Sequence, residues 1–211
     1  MRSENDFYPT PQPVADAICA RMSLELEGRH FDRIIEPSCG NGAFIRPLAR
    51  LWNRPVIGVD IDPGADASAG VAIIYKGDWA YWIRHNPQHG RTLVIGNPPF
   101  SLAAEHILAG LENLATGSLV CFLLKQNFFG SEDRRSNFWT KGHCLRWFIP
   151  IVGRPSFVRG EKSSTDTNEY AVFCFEVGHT GNPEILFPHI EWKPRKTANQ
   201  QLPLVATSEG R

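Results

Sequence analysis

Asn97-Pro98-Pro99-Phe100 holds the residue types in this chain best suited to chemistry. It directly follows Thr92-Leu93-Val94-Ile95-Gly96, an apolar run of strand length that reads as a buried strand. Two prolines stop that strand and stiffen the turns beyond it. The Asn97 side chain offers one carbonyl acceptor and one amide donor group. The Phe100 ring, three residues on, offers a flat stacking face. Together they form a small, rigid pocket able to grip a planar amine. An ordinary Asn-Pro turn at a strand end has the same sequence, so the elements around it must decide between the two.

Those elements alternate. Ile34-Ile35 reads as a strand that runs into Glu36-Pro37-Ser38-Cys39-Gly40-Asn41-Gly42, and residues 43–52 read as a helix. Residues 55–59 form a second strand closed by Asp60-Ile61-Asp62-Pro63, and residues 71–75 a third closed by Gly77-Asp78-Trp79. The strand before Asn97 is the fourth. Residues 102–114 follow as an amphipathic helix and 119–124 as a fifth, wholly apolar strand. Ahead of them all, Thr10 with Pro11 and Pro13 predicts a capped helix start, continuing over 14–22. Residues 133–141 read as a short polar helix or loop, and 144–149 and 170–177 as late strands. The fold expected is α/β: a doubly wound, mostly parallel sheet covered by helices on both faces. In such sheets ligands bind at the carboxyl ends of the strands. Each polar cluster named above stands at such an end.

Size and composition narrow the classes. The chain has 211 residues, 42% of them hydrophobic, which suits one domain over 1–180 with an irregular tail over 181–211, partly disordered at its end. Its 22 basic and 22 acidic side chains balance, so any nucleic-acid contact must come from a local patch. Five scattered cysteines have no zinc spacing, and the seven histidines show no metal pattern. They predict reduced thiols, no metal and a cytoplasmic protein. No apolar stretch reaches membrane-span length, and no signal-peptide core is evident at the start.

Gly40-x-Gly42 lets backbone approach a ligand closely and opens a helix. Asp60, at the end of the next strand, can accept from both hydroxyls of a ribose. A dinucleotide site shares these features, but Ile45 stands where its third glycine or alanine would be, and the Glu-Pro-Ser lead-in is foreign to it.

Taken together, the motifs resemble an S-adenosylmethionine-dependent amino-methyltransferase in which the cofactor motifs precede Asn-Pro-Pro-aromatic. The resemblance spans residues 7–177 and implies a Rossmann-like class I methyltransferase fold with an antiparallel late strand. Phe7-Tyr8-Pro9-Thr10-Pro11 resembles the N-terminal cofactor motif, and Glu36 through Phe44 the glycine-rich loop. By that resemblance the cofactor residues are Tyr8, Thr10, Pro11, Glu36, Ser38, Gly40, Asn41, Gly42, Phe44 and Asn97. To these it adds Asp60 at the ribose, Ile61 beside the adenine, and Asp78 accepting from the adenine amine with Trp79 adjacent. The segment from Arg154-Pro155-Ser156-Phe157 to Asn168-Glu169-Tyr170-Ala171 is similar to small DNA N6-adenine methyltransferases of phages and prophages. No long target-recognition domain is evident in this sequence, so the site it would read is not specified.

The chemistry expected of Asn97-Pro98-Pro99-Phe100 follows. The exocyclic amine of adenine is a poor nucleophile because its lone pair is delocalised into the ring. Two acceptors, the Asn97 side-chain oxygen and the Pro98 carbonyl, would draw the nitrogen toward tetrahedral geometry and aim its lone pair. Phe100 would stack on the base, a contact worth about 1–3 kcal/mol. A base inside a duplex must flip out to arrive there, and Phe157 is the candidate for its second face. Arg134, Arg135 and Arg154, within a basic segment interleaved with Phe128, Phe129, Phe138 and Trp139, are candidate contacts to DNA phosphates. His106 reads as structural. RNA adenine methylation, protein glutamine methylation and a non-catalytic cofactor-binding module remain as rivals.

Overall fold

A computed structural model describes residues 9–68, 70–141, 144–155, 157 and 167–193. In chain order the elements are α1 (Gln12–Glu25), β1 (Arg33–Pro37), α2 (Ile45–Trp52), β2 (Val56–Asp60), β3 (Ala72–Lys76), α3 (Trp79–His85), β4 (Thr92–Gly96) and α4 (Ala103–Asn113). They continue with β5 (Leu119–Lys125), α5 (Glu132–Asn137), β6 (Leu145–Val152), β7 (Tyr170–Glu176), β8 (Glu184–Ile185) and β9 (Ile190–Glu191). The sheet runs β3-β2-β1-β4-β5-β7-β6-β8, with β9 also on β6. The first five strands are mutually parallel, with Ile35 facing Ile57 on one side and Val94 on the other. Strand β7 runs antiparallel to both β5 and β6.

Burial on both faces explains the near-continuous apolar strands. In β5, Leu119, Cys121 and Leu123 enter the core shared with α1 and α2, whereas Val120, Phe122 and Leu124 enter the one shared with α3 and α4. Strand β7 alternates the same way, with Val172 and Cys174 on one face and Phe173 and Phe175 on the other. All five cysteines are free thiols, and four of them are buried.

Three departures from the sequence reading have physical reasons. Helix α3 was not anticipated, because Trp79-Ala80-Tyr81-Trp82 is rich in poor helix formers. It forms because the Asp78 side chain accepts from the Tyr81 N–H at 2.7 Å as its N-cap, and because Trp79, Ala80 and Ile83 are buried. The expected tail contains β8 and β9, both hydrogen-bonded parallel to β6. Its final residues lie outside the described ones. The aromatics interleaved with the basic segment build core: Phe128 and Phe138 are buried and meet at 5.6 Å, and Phe128 meets Phe173 at the same separation. Phe173 and Phe175 of β7 supply the second row of rings that draws them inward.

This cluster sets a stability test. Phe173→Ala removes the ring that Phe128, Phe129 and Phe148 share. Urea unfolding should show a loss of about 3–5 kcal/mol, against under 1 kcal/mol, roughly, for a surface change such as Glu112→Ala.

Candidate active site

The sheet order reverses between β1 and β4, and the crevice this leaves lies at the carboxyl ends of the strands. A cleft of about 660 Å³ sits there, lined from β1 by Glu36, Ser38 and Gly40, from β2 by Asp60 and Ile61, from the β3 end by Asp78 and Trp79, and from β4 by Asn97 through Phe100.

The turn from β1 into α2 requires unusual backbone. Ser38, Gly40 and Gly42 have φ of 57°, 50° and 75°, a left-handed region cheap for glycine and costly for serine. A side chain on Gly42 would run into the Ala67 carbonyl, so this glycine serves loop packing and does not itself line the cleft. Asp60 holds the turn: its Oδ2 accepts from the Gly40 N–H at 2.8 Å and its Oδ1 from the Asp62 N–H at 2.7 Å. Each oxygen keeps a second lone pair for a ligand hydroxyl.

Glu36 is buried, and burial pushes its carboxyl well above the ordinary glutamate range. Backbone hydrogen bonds from Phe44 and Ile45 oppose that shift, and the Asp60 charge adds to it. Its Oε2 is buried with no hydrogen-bond partner among the described residues. An orphaned carboxylate oxygen in a cleft fits a cationic ligand group such as an ammonium. Ile61 and Leu102 also line the cleft and are 51% and 41% exposed. Two exposed apolar side chains there suit a flat heterocycle.

Asn97 Nδ2 donates to the Thr10 hydroxyl at 3.0 Å. The sequence reading placed Thr10 as a helix cap, but Pro11 occupies the N-cap of α1 with no side-chain bond. The Thr10 hydroxyl instead receives the Asn97 amide N–H. Phe100 packs edge-on to Phe157 at 6.4 Å and tilted against Tyr170 at 5.9 Å, and Lys125 Nζ sits 5.0 Å from its ring centre.

The other expected site residues divide. Asn41 lines the cleft, whereas Pro11, Phe44 and Phe157 do not; Phe44 is core, and Phe157 is only 4% exposed. Trp79 lines the cleft but is buried, its indole N–H donating to the His106 carbonyl at 3.1 Å. Tyr8 lies outside the described residues. Arg134 donates to the Phe128 and Asn127 carbonyls, Arg135 pairs with Glu132, and Arg154 stands 3.6 Å from Glu169. None of the three lines the cleft. Sequence reasoning missed Leu102, Lys125 and Arg46, the last a cleft-lining exposed cation. For Leu102, the available signal was an apolar residue just ahead of a helix whose buried face lies elsewhere. Among the described residues, no cluster could hold a metal ion and no helix is long and apolar enough to cross a membrane.

No protein-family model and no curated protein matches this sequence. Solved structures do match. One is a proposed RNA methyltransferase from Pyrococcus horikoshii, 16% identical with a TM-score of 0.61, covering 81% of this chain and 87% of that one. Another is the methyltransferase subunit of a type I restriction-modification system from Streptococcus thermophilus, 13% identical with a TM-score of 0.62. A third is a proposed class I S-adenosylmethionine-dependent methyltransferase from Listeria monocytogenes, 14% identical with a TM-score of 0.60 over 89% of this chain. The fold is that of the class I methyltransferases. The chain spans 45% of the restriction subunit and 66% of the Listeria protein.

Within this methyltransferase fold the buried acid has a stability cost. A glutamate whose folded pKa is raised contributes stability below its unfolded pKa and loses it as pH rises toward the folded value. Glu36→Gln stays neutral throughout. It should therefore melt above wild type at pH 8, with the two curves converging toward pH 4 in calorimetric scans without ligand.

Proposed function

We propose that this chain transfers the methyl group of S-adenosylmethionine to the N6 amine of adenine in DNA, with the target base flipped out of the duplex. The observation that carries the reading is one cleft lined both by the glycine-rich loop with Asp60 and by Asn97-Pro98-Pro99-Phe100.

The described residues fit the cofactor. Glu36 Oε2 would receive its ammonium, Asp60 its ribose hydroxyls, and Ile61 and Leu102 the faces of its adenine, with Asp78 at the adenine amine. Gly40 and Asn41 would lie against the cofactor, while Pro11, Gly42 and Phe44 would act through the shape of the loops they hold. S-adenosylmethionine supplies a sulfonium methyl whose bond to sulfur breaks as the bond to nitrogen forms. The chain's own work is positioning. Thr10 accepts from the Asn97 amide N–H, which gives Asn97 Oδ1 the acceptor role toward one amine N–H. The Pro98 carbonyl takes the other, and proline at 98 has no N–H of its own to compete. The two acceptors aim the nitrogen lone pair and stabilise the positive charge that develops on it. The methylated nitrogen then releases its proton readily, so no strong base is needed. Phe100 would stack on the base, with Phe157 and Tyr170 bracing the ring. Phe157 serves the extruded base from behind Phe100.

DNA contact would draw on Arg135 and Arg154. Their ion pairs are exposed and of little energetic worth, so a phosphate can replace the carboxylate. Arg134 is bound to backbone carbonyls and contributes by bracing the turn.

The test is labelled-methyl transfer to duplex DNA, single-stranded DNA, RNA and protein, followed by nucleoside and amino-acid analysis. N6-methyladenine in DNA is expected. Product confined to RNA or to glutamine would replace the substrate, and no product anywhere would leave a cofactor-binding module. Asn97→Ala should keep cofactor affinity and lose roughly 10²–10³-fold in turnover. Near-normal turnover would reduce Asn97 to a turn residue.

A further inference from the structure

His106 is the fourth residue of α4, six positions beyond Phe100, and it is buried while still lining the cleft. Three polar contacts converge on it. Its Nδ1 stands 3.2 Å from the Leu102 carbonyl, its Nε2 3.1 Å from the Ser38 hydroxyl, and its own carbonyl accepts from the Trp79 indole at 3.1 Å. The Leu102 carbonyl can only accept, so Nδ1 carries the ring proton. Nε2 is then the acceptor, and Ser38 donates its hydroxyl proton to it. Burial holds the imidazole pKa below the ordinary histidine value, against the opposing pull of Asp78, the Leu102 carbonyl, Glu105 and Asp60. A neutral ring is what this bonding pattern needs.

Ser38 is the residue of the β1–α2 turn least suited to its backbone, with φ of 57° and a side chain that glycine would lack. A serine in such a strand–turn–helix position beside a histidine also suggests an activated nucleophile. The backbone excludes that use. The Cys39 N–H donates to Val59 O and the Gly40 N–H to Asp60, so neither is available to stabilise an oxyanion on an acyl group at Ser38.

We propose that His106 is a positioning residue, a neutral Nδ1–H imidazole that fastens the strained Ser38 and so sets the glycine-rich loop against the Asn97–Phe100 loop and the Asp78–Trp79 turn. The inference deepens the methyltransferase reading: one histidine on the helix that follows the amine-gripping loop fixes the loop assigned to the cofactor. Removing either partner releases the turn, and removing the second then costs little more.

Two measurements test this. The first needs no ligand. Imidazole ¹⁵N spectra, with His106 assigned by the signals lost in His106→Gln, should show the Nδ1–H tautomer, the less favoured one in free histidine. The Nε2 signal should shift in Ser38→Ala. An Nε2–H tautomer, or a spectrum unmoved by Ser38→Ala, overturns the proposal. The second is a double-mutant cycle on S-adenosylmethionine affinity. Ser38→Ala and His106→Leu should each weaken binding about three- to tenfold, and the double variant by no more than either. His106→Gln, which restores an acceptor at the Nε2 position, should recover most of the loss. Additive effects, or a glutamine as poor as leucine, overturn the tether. A wild type that binds no S-adenosylmethionine overturns the methyltransferase reading instead, and the spectra still decide the role of His106.

Discussion

The turn between β1 and α2 passes through left-handed backbone at Ser38, Gly40 and Gly42, and the site depends on that turn staying open. Left to itself, a segment with this conformational freedom would sample many arrangements. Two side chains from other elements restrain it. Asp60 binds the Gly40 N–H from the end of β2, and His106 meets Ser38 from α4. The restraint comes from opposite sides of the point where strand order reverses, so the crevice between β1 and β4 is braced across its width. The close approach of Gly42 to Ala67 closes the third side.

A cleft so braced can hold groups that the fold alone would reject. Glu36 is buried with an unanswered oxygen, and the fold tolerates it because α2 directs backbone hydrogen bonds at the carboxyl. Ile61 and Leu102 remain exposed where folding would favour covering them. Each of these is unfavourable in the isolated protein and favourable once a ligand with an ammonium and a flat ring occupies the cleft. Glu36, Ile61 and Leu102 all line the same cleft, where one ligand could answer all three.

Much of this was legible in the sequence because period and punctuation agree. The five parallel strands announce themselves as short apolar runs, four of them ended by a polar cluster, and those four ends are where the structure puts the cleft. Glu36, Gly40, Asp60, Ile61, Asp78 and Asn97 stand at or beside those strand ends in the sequence and line the cleft in the structure, because strand ends are a one-dimensional signal. Contacts between distant segments were not. Thr10 reaches Asn97 over 87 positions, and Ser38 reaches His106 over 68, with no periodicity to betray either pair. Helix α3 escaped because Trp79-Ala80-Tyr81-Trp82 has low helix propensity, and what offsets it is the Asp78 cap and the burial of Trp79, Ala80 and Ile83. The aromatic residues of the run after β5 carried no signal of their own: only the partner strand, with Phe173 and Phe175, shows that they build core.

The central claim is that this cleft binds S-adenosylmethionine, and titration calorimetry on the wild-type chain tests it most directly. Titrations of S-adenosylmethionine in parallel with a nicotinamide dinucleotide, each in two buffers of different ionisation enthalpy, separate binding heat from proton release. The account predicts one S-adenosylmethionine per chain and no heat from the dinucleotide. Binding of the dinucleotide in its place, or no binding of S-adenosylmethionine, would contradict it.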